Sequence, residues 1–144
     1  MHGRNVLSFS TEHHQRQKLS FGIWTNASSP SLLFSAPVST GGAKEANAVL
    51  EVGSDIEGSL RLLIVDPETG LVVASDGPEA PPGGVPVSGG HWLRVSLVVQ
   101  HGRVKVQVEG GAGGRDKWAW HLKGEEEVLK TVKFVQGEPT KYGN

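Results

Sequence analysis

The stretch Gly90-His91-Trp92-Leu93-Arg94-Val95-Ser96-Leu97-Val98-Val99-Gln100-His101-Gly102-Arg103-Val104-Lys105-Val106-Gln107-Val108-Glu109-Gly110 decides the fold. Leu93, Val95, Leu97 and Val99 share one face of an extended chain. Val104, Val106 and Val108 share one face of the return, while Arg103, Lys105, Gln107 and Glu109 point the other way. A period of two with β-branched residues on one side predicts a half-buried antiparallel hairpin closed by a tight glycine turn.

On either side of this hairpin the chain repeats the pattern. Alternating runs predict strands beginning at Val6 and over residues 19–24, 32–36, 48–52, 59–65, 71–74, 117–122 and 131–135, with one helical turn over 125–130. The run 32–36 is apolar throughout and reads as central. Asp66-Pro67-Glu68-Thr69-Gly70 is turn chemistry: proline presets φ for a type I turn and glycine takes the positive φ after it. Residues 76–90 hold four prolines and five glycines and read as a long surface loop. Short strands with regular turn signals and almost no helical period predict an all-β sandwich or barrel.

The chain has 144 residues, enough for one domain with a real core. Residues 1–4 read as a non-native remnant or disordered leader, and 5–144 as a single domain. Net charge is −1, with lysine and arginine scattered, so no basic excess points to nucleic acid. No apolar run approaches the roughly 20 residues that span a bilayer, and the first residues carry no signal-type apolar stretch. Cysteine is absent, which excludes disulfides, thiolate zinc sites and cysteine nucleophiles. Asn26-Ala27-Ser28 is an N-glycosylation acceptor beside a Ser-Ser-Pro turn.

Three places carry a resemblance to a known family. Leu19-Ser20-Phe21-Gly22-Ile23-Trp24-Thr25 leads into Ser31-Leu32-Leu33-Phe34-Ser35-Ala36. Ala48-Val49-Leu50-Glu51-Val52 is followed by Leu60-Arg61-Leu62-Leu63. The hairpin runs from Gly90-His91-Trp92 to Val108-Glu109-Gly110. In this order they resemble the laminin G-like domain. Leu93 stands where that family usually has histidine, and Gly89 and Glu109 where it has aspartate. The resemblance implies a two-sheet antiparallel β-sandwich, a jelly roll of the concanavalin type. It further implies a non-catalytic recognition or adhesion module of a larger secreted or membrane-anchored protein, binding a protein or glycan partner through its rim loops. The loops at 39–47, 76–90 and 110–116 are the expected carriers of specificity. Trp24 and Trp92 are expected inside the sandwich.

The resemblance also raises calcium at the rim. Ala48 falls where the first ligand usually sits, with Asn47 and Glu45 beside it, and Glu126 and Glu127 are the nearest partners. Such a set is poor in the oxygens calcium needs, so no metal or other cofactor is expected. A sandwich-fold glycosidase would need two carboxylates flanking one bond. Glu51, Asp55 and Glu57 come closest but straddle a turn, and no serine sits in a nucleophile elbow, so the chain is not expected to be an enzyme. His13 and His14 form an adjacent pair in a polar stretch and read as solvated. Trp118 and Trp120 share one face if their strand holds. With Arg115 and Lys117 beside them they are the candidate ligand-binding set of a carbohydrate-binding lectin module, the alternative to the adhesion reading, although rings so placed also cover cores.

Overall fold

The computed structural model describes residues 7–12, 16–26, 29–40, 47–87, 89–111, 113–135 and 141–142. Its elements are β1 (Leu7–Glu12), β2 (Arg16–Ile23), β3 (Ser31–Thr40), β4 (Asn47–Ser54), β5 (Leu60–Val65), β6 (Val72–Asp76), β7 (Leu93–Gln100), β8 (Arg103–Gly110), β9 (Asp116–Gly124), α1 (Glu126–Thr131), β10 (Val132–Phe134) and β11 (Lys141–Tyr142). The fold is all-β, as expected, with every strand pairing antiparallel.

The β7–β8 hairpin has the register read from the sequence: Val95 faces Val108, Leu97 faces Val106 and Val99 faces Val104. All six are buried. The connection is two residues, with φ of 51° at His101 and 74° at Gly102. Positive φ at both positions is the type I′ geometry that matches strand twist. The Asp66 turn also forms as expected. Its carbonyl accepts from the Gly70 N–H at 2.7 Å, and its Oδ1 accepts from the Glu68 N–H at 2.9 Å.

The strand order is β1-β2-β7-β8-β9-β6-β5-β4-β3-β10, with β11 also on β3. The strands therefore form one continuous sheet in which nine come close to closing a barrel. The corner lies in β9. Residues 116–121 pair with β8, and residues 122–124 with β6. At the open seam the Gln17 carboxamide on β2 reaches β10. Its Oε1 accepts from the Phe134 N–H at 2.8 Å, and its Nε2 donates to the Phe134 carbonyl at a longer 3.4 Å.

The interior is filled from all sides. Phe21 of β2 stacks on Phe34 of β3 with ring centroids 4.0 Å apart, and Leu50, Leu62, Ile64, Val95 and Leu97 close around them with almost no exposure. Each such side chain contributes about 1.5–3 kcal/mol through burial.

The segment 76–90 differs from the expected surface loop. Val85 and Val87 are 1% and 3% exposed and belong to the core. The Leu60 N–H donates to the Val85 carbonyl at 2.8 Å and the Val87 N–H to the Gly58 carbonyl at 2.9 Å, with Pro86 opposite Ser59. That bridge uses only groups of the flanking valines, so the N–H that proline lacks is never needed. The polar stretch 11–18 is likewise mostly strand, because β1 runs to Glu12 and β2 starts at Arg16. The expected helical turn is present as α1, with an ion pair from Lys130 to Glu126 at 2.9 Å.

Candidate functional site

The alternation that buries Leu93 and Val95 turns Arg94, Ser96 and Val98 to the outside of the sheet, and Trp92 lies at the end of that outward series. Trp92 is 53% exposed. The six-membered ring comes within 3.4 Å of the point where a Cβ on Gly22 would stand, so the missing side chain on β2 lets the indole lie over the strand. Gly22 is in register with Arg94, Arg94 with Glu109, and Glu109 with Lys117. The result is a row across four strands of an apolar ring, a cation, an anion and a cation. A recess of about 570 Å³ opens here, lined by Ser20, Gly22, Trp92, Arg94, Glu109 and Gly114.

The approach to this rim is pinned. Trp24 Nε1 donates to the Gly90 carbonyl at 2.7 Å, and the Gly90 N–H donates to the Thr25 carbonyl at 3.2 Å. The end of the 76–90 segment is thereby tied to the end of β2 immediately before Trp92. A ring held in place before a ligand arrives loses less entropy on binding.

A second recess, of about 190 Å³, is polar and includes Asp55, Glu57, Arg61, Asp76 and Trp120 in its wall. Its aspartates are engaged by the protein itself. Asp55 Oδ1 accepts from the N–H groups of Glu57 and Ser59 at 2.9 and 3.0 Å, and its Oδ2 from Arg61 Nε at 3.0 Å. The Ser59 N–H and the other donors hold Asp55 below its ordinary carboxyl range. Asp76 Oδ1 accepts from Trp120 Nε1 at 2.6 Å, and Oδ2 from the Leu62 N–H at 3.1 Å. Burial pushes Asp76 up, against the pull of these two donors and of Arg61.

The sequence-derived candidates separate. Trp120 is 3% exposed and faces the core, with its Nε1 engaged by Asp76, so it offers a ligand almost no ring surface. Trp118 is half-buried and packs against the same core, beside Gly111. Both lie on the inward side of β9 with Leu122, as their spacing from that leucine dictates. Arg115 and Lys117 are exposed, and Lys117 belongs to the row that ends at Trp92. Trp92, expected in the core, is the exposed aromatic among the described residues. The signal was its own register: it is even-numbered like Arg94, whereas the buried residues of β7 begin at Leu93.

Asn26 is exposed and close to Gly90, while Ala27 and Ser28 lie outside the described residues. Of the calcium candidates, Ala48 is buried, Glu126 is paired with Lys130, and Glu45 lies outside the described residues. No group of three metal-ligating side chains occurs among the described residues. His13 and His14 lie outside them. Glu51 and Asp55 line one shallow recess with Arg61 and Leu32, with Asp55 engaged as above. Comparison of the chain with protein-family models, with curated proteins and with solved structures gives no match.

Proposed function

We propose that this chain is a non-catalytic recognition module and that it binds a glycan at the rim around Trp92. The observation that carries the reading is the exposed indole held over Gly22, with Arg94 and Glu109 next in the same row. A flat apolar ring packs against the C–H face of a sugar, and a guanidinium beside a carboxylate supplies donors and acceptors for its hydroxyls. Two of the loops expected to carry specificity, 76–90 and 110–116, flank this ring, as an extracellular module recognising a partner through its rim requires. A flattened, two-sheet form of the barrel is what the laminin G-like resemblance implies, and the stacking of Phe21 on Phe34 across the interior supports it. The engagement of Asp55 and Asp76 by backbone and side-chain donors supports a binding role over a hydrolytic one, since a general acid or nucleophile needs a free oxygen.

The test is a glycan array probed with the wild-type chain, Trp92→Ala and Trp118→Ala. Binding lost in Trp92→Ala and kept in folded Trp118→Ala is the expected result. No binding by the wild-type chain to any glycan, or binding indifferent to Trp92, overturns the reading.

A further inference from the structure

We infer that the glycan is acidic and that it runs from Trp92 across the outer face of β2, β7, β8 and β9 to a cluster of cations at the other end of these strands; this rests on the reading of Trp92 as the contact ring. The register lays the face out in rungs. Beyond the Trp92 row comes Ser20, Ser96, Gln107 and Ala119, then Lys18, Val98, Lys105 and His121, then Arg16, Gln100 and Arg103. The second rung is a low floor. Ser20 and Ser96 are only 9% and 7% exposed although they face outward, and their hydroxyls bond each other at 3.0 Å. Val98 in the next rung is also only 7% exposed, so the low centre of this face runs along β2 and β7 from the Trp92 row toward the Lys18 rung.

The far rungs of this face carry Lys18, Lys105, Arg16 and Arg103. Lys18 and Lys105 make no ion pair with a described residue. Two acids lie near them: Glu12, in register with Arg16, and Glu79, which accepts from His121 Nδ1 at 3.0 Å and from the His121 N–H at 3.1 Å. That partner and the nearby Arg103 keep Glu79 below its ordinary range, so it remains ionised and offsets one charge. With Glu12 in register with Arg16, the cations Lys18, Lys105 and Arg103 still exceed the one remaining acid among the described residues, Glu79.

Spacing selects the ligand. Lys18 and Lys105 stand two strands apart, about 10 Å at sheet spacing, and Gly22 lies four residues from Lys18, about 13 Å along the strand. Cations this sparse suit a chain with an anionic group on every sugar or two. A nucleic acid, with a charge about every 1.7 Å of duplex axis, calls for a denser field and usually for several stacking rings. Trp92 is the exposed aromatic on this face among the described residues. The span from Trp92 to Lys18 fits a few linked pyranose rings, with a neutral face on the indole and a carboxylate or sulfate at the lysines.

The experiment is titration calorimetry with a heparin-derived hexasaccharide, its desulfated counterpart, a neutral chitin hexasaccharide and a single-stranded DNA hexamer. Each is added to the wild-type chain, to Lys18→Glu/Lys105→Glu and to Trp92→Ala. The expected result is tightest binding to the sulfated sugar, weakened at least about tenfold by the charge reversal, by added salt and by Trp92→Ala. Sulfated and neutral sugars bound equally, with both lost in Trp92→Ala, would overturn the acidic assignment and leave the proposed function standing. Sulfated sugar bound equally by wild type and the charge reversal, or DNA bound more tightly than any sugar, would overturn it too. No sugar bound at all sinks both readings.

Discussion

The Gln17 carboxamide bonds both backbone groups of Phe134, an amide in the side chain standing in for a rung of the ladder between β2 and β10. Gln17 shares its face of β2 with the buried Leu19 and Phe21, so the clasp lies on the inward side of the open seam. Gln17→Ala leaves the Phe134 N–H without its acceptor and is expected to lower stability by about 1–3 kcal/mol. Gln17→Glu keeps the acceptor and loses the weaker donor, and should cost less. Urea denaturation of the three chains checks the order; equal midpoints would mean the seam is held by other contacts.

The half-buried Asp76, bonded to Trp120, predicts a pH signature. The Asp76 pKa is raised in the folded chain, so the folded state holds that proton more tightly than the unfolded state does. Its ionisation therefore costs stability as pH rises from the ordinary carboxyl value of 3.8 through the raised one. Asp76→Asn cannot titrate. The stability of the wild type minus that of Asp76→Asn should fall as pH rises across this window, whatever constant offset the changed hydrogen bonds add. Asp55, Glu79 and Glu126 are shifted the opposite way, and their contributions are lost as pH falls. They are common to both chains and cancel in the difference. A difference independent of pH would contradict the assignment.

The course of the strands is largely legible in the sequence, and so are the faces of β7, β8 and β9. Alternation placed the β7–β8 hairpin and its register, and Asp66 to Gly70 gave its turn. The same period of two assigns Trp92 outward with Arg94, and Trp118 and Trp120 inward with Leu122. Their spacing leaves Trp118 and Trp120 between a ligand-binding and a core role, and their register with Leu122 decides for the core. The burial of Val85 and Val87 was harder to see, because prolines and glycines around them dominate the local signal. Only a Val-Pro-Val alternation marks a piece of chain that a distant strand can accept. Closure was not legible at all. It depends on β9 pairing with two different neighbours and on a side-chain amide 117 residues from its partner.

That burial is itself testable. Val85→Ala should cost about 1–3 kcal/mol, as a core truncation does. Pro78→Ala, in the part of the same segment that stays exposed, should be close to neutral. Similar small effects from both would place the segment outside the cooperative core.

Two glycines sit where backbone crosses backbone. A Cβ on Gly124 would meet the Val73 carbonyl and the Ala74 backbone, and one on Gly110, at a φ of 134°, would meet the Trp92 carbonyl. Alanine at either is expected to cost about 3 kcal/mol, because neither neighbour is a side chain that can swing away. Gly70→Ala, at a φ of 72° with open space around it, should cost only about 1–2 kcal/mol of backbone strain. Thermal melts of the three variants rank them; Gly70 proving the most sensitive would contradict this account.

The shared strand β9 has a last consequence. Six of its residues pair with one wall and three with the other, so the two walls cannot separate without stripping β9 of one of its ladders. Amide protons on β5 and on β7 should therefore exchange with a common opening free energy, the whole molecule yielding as one unit.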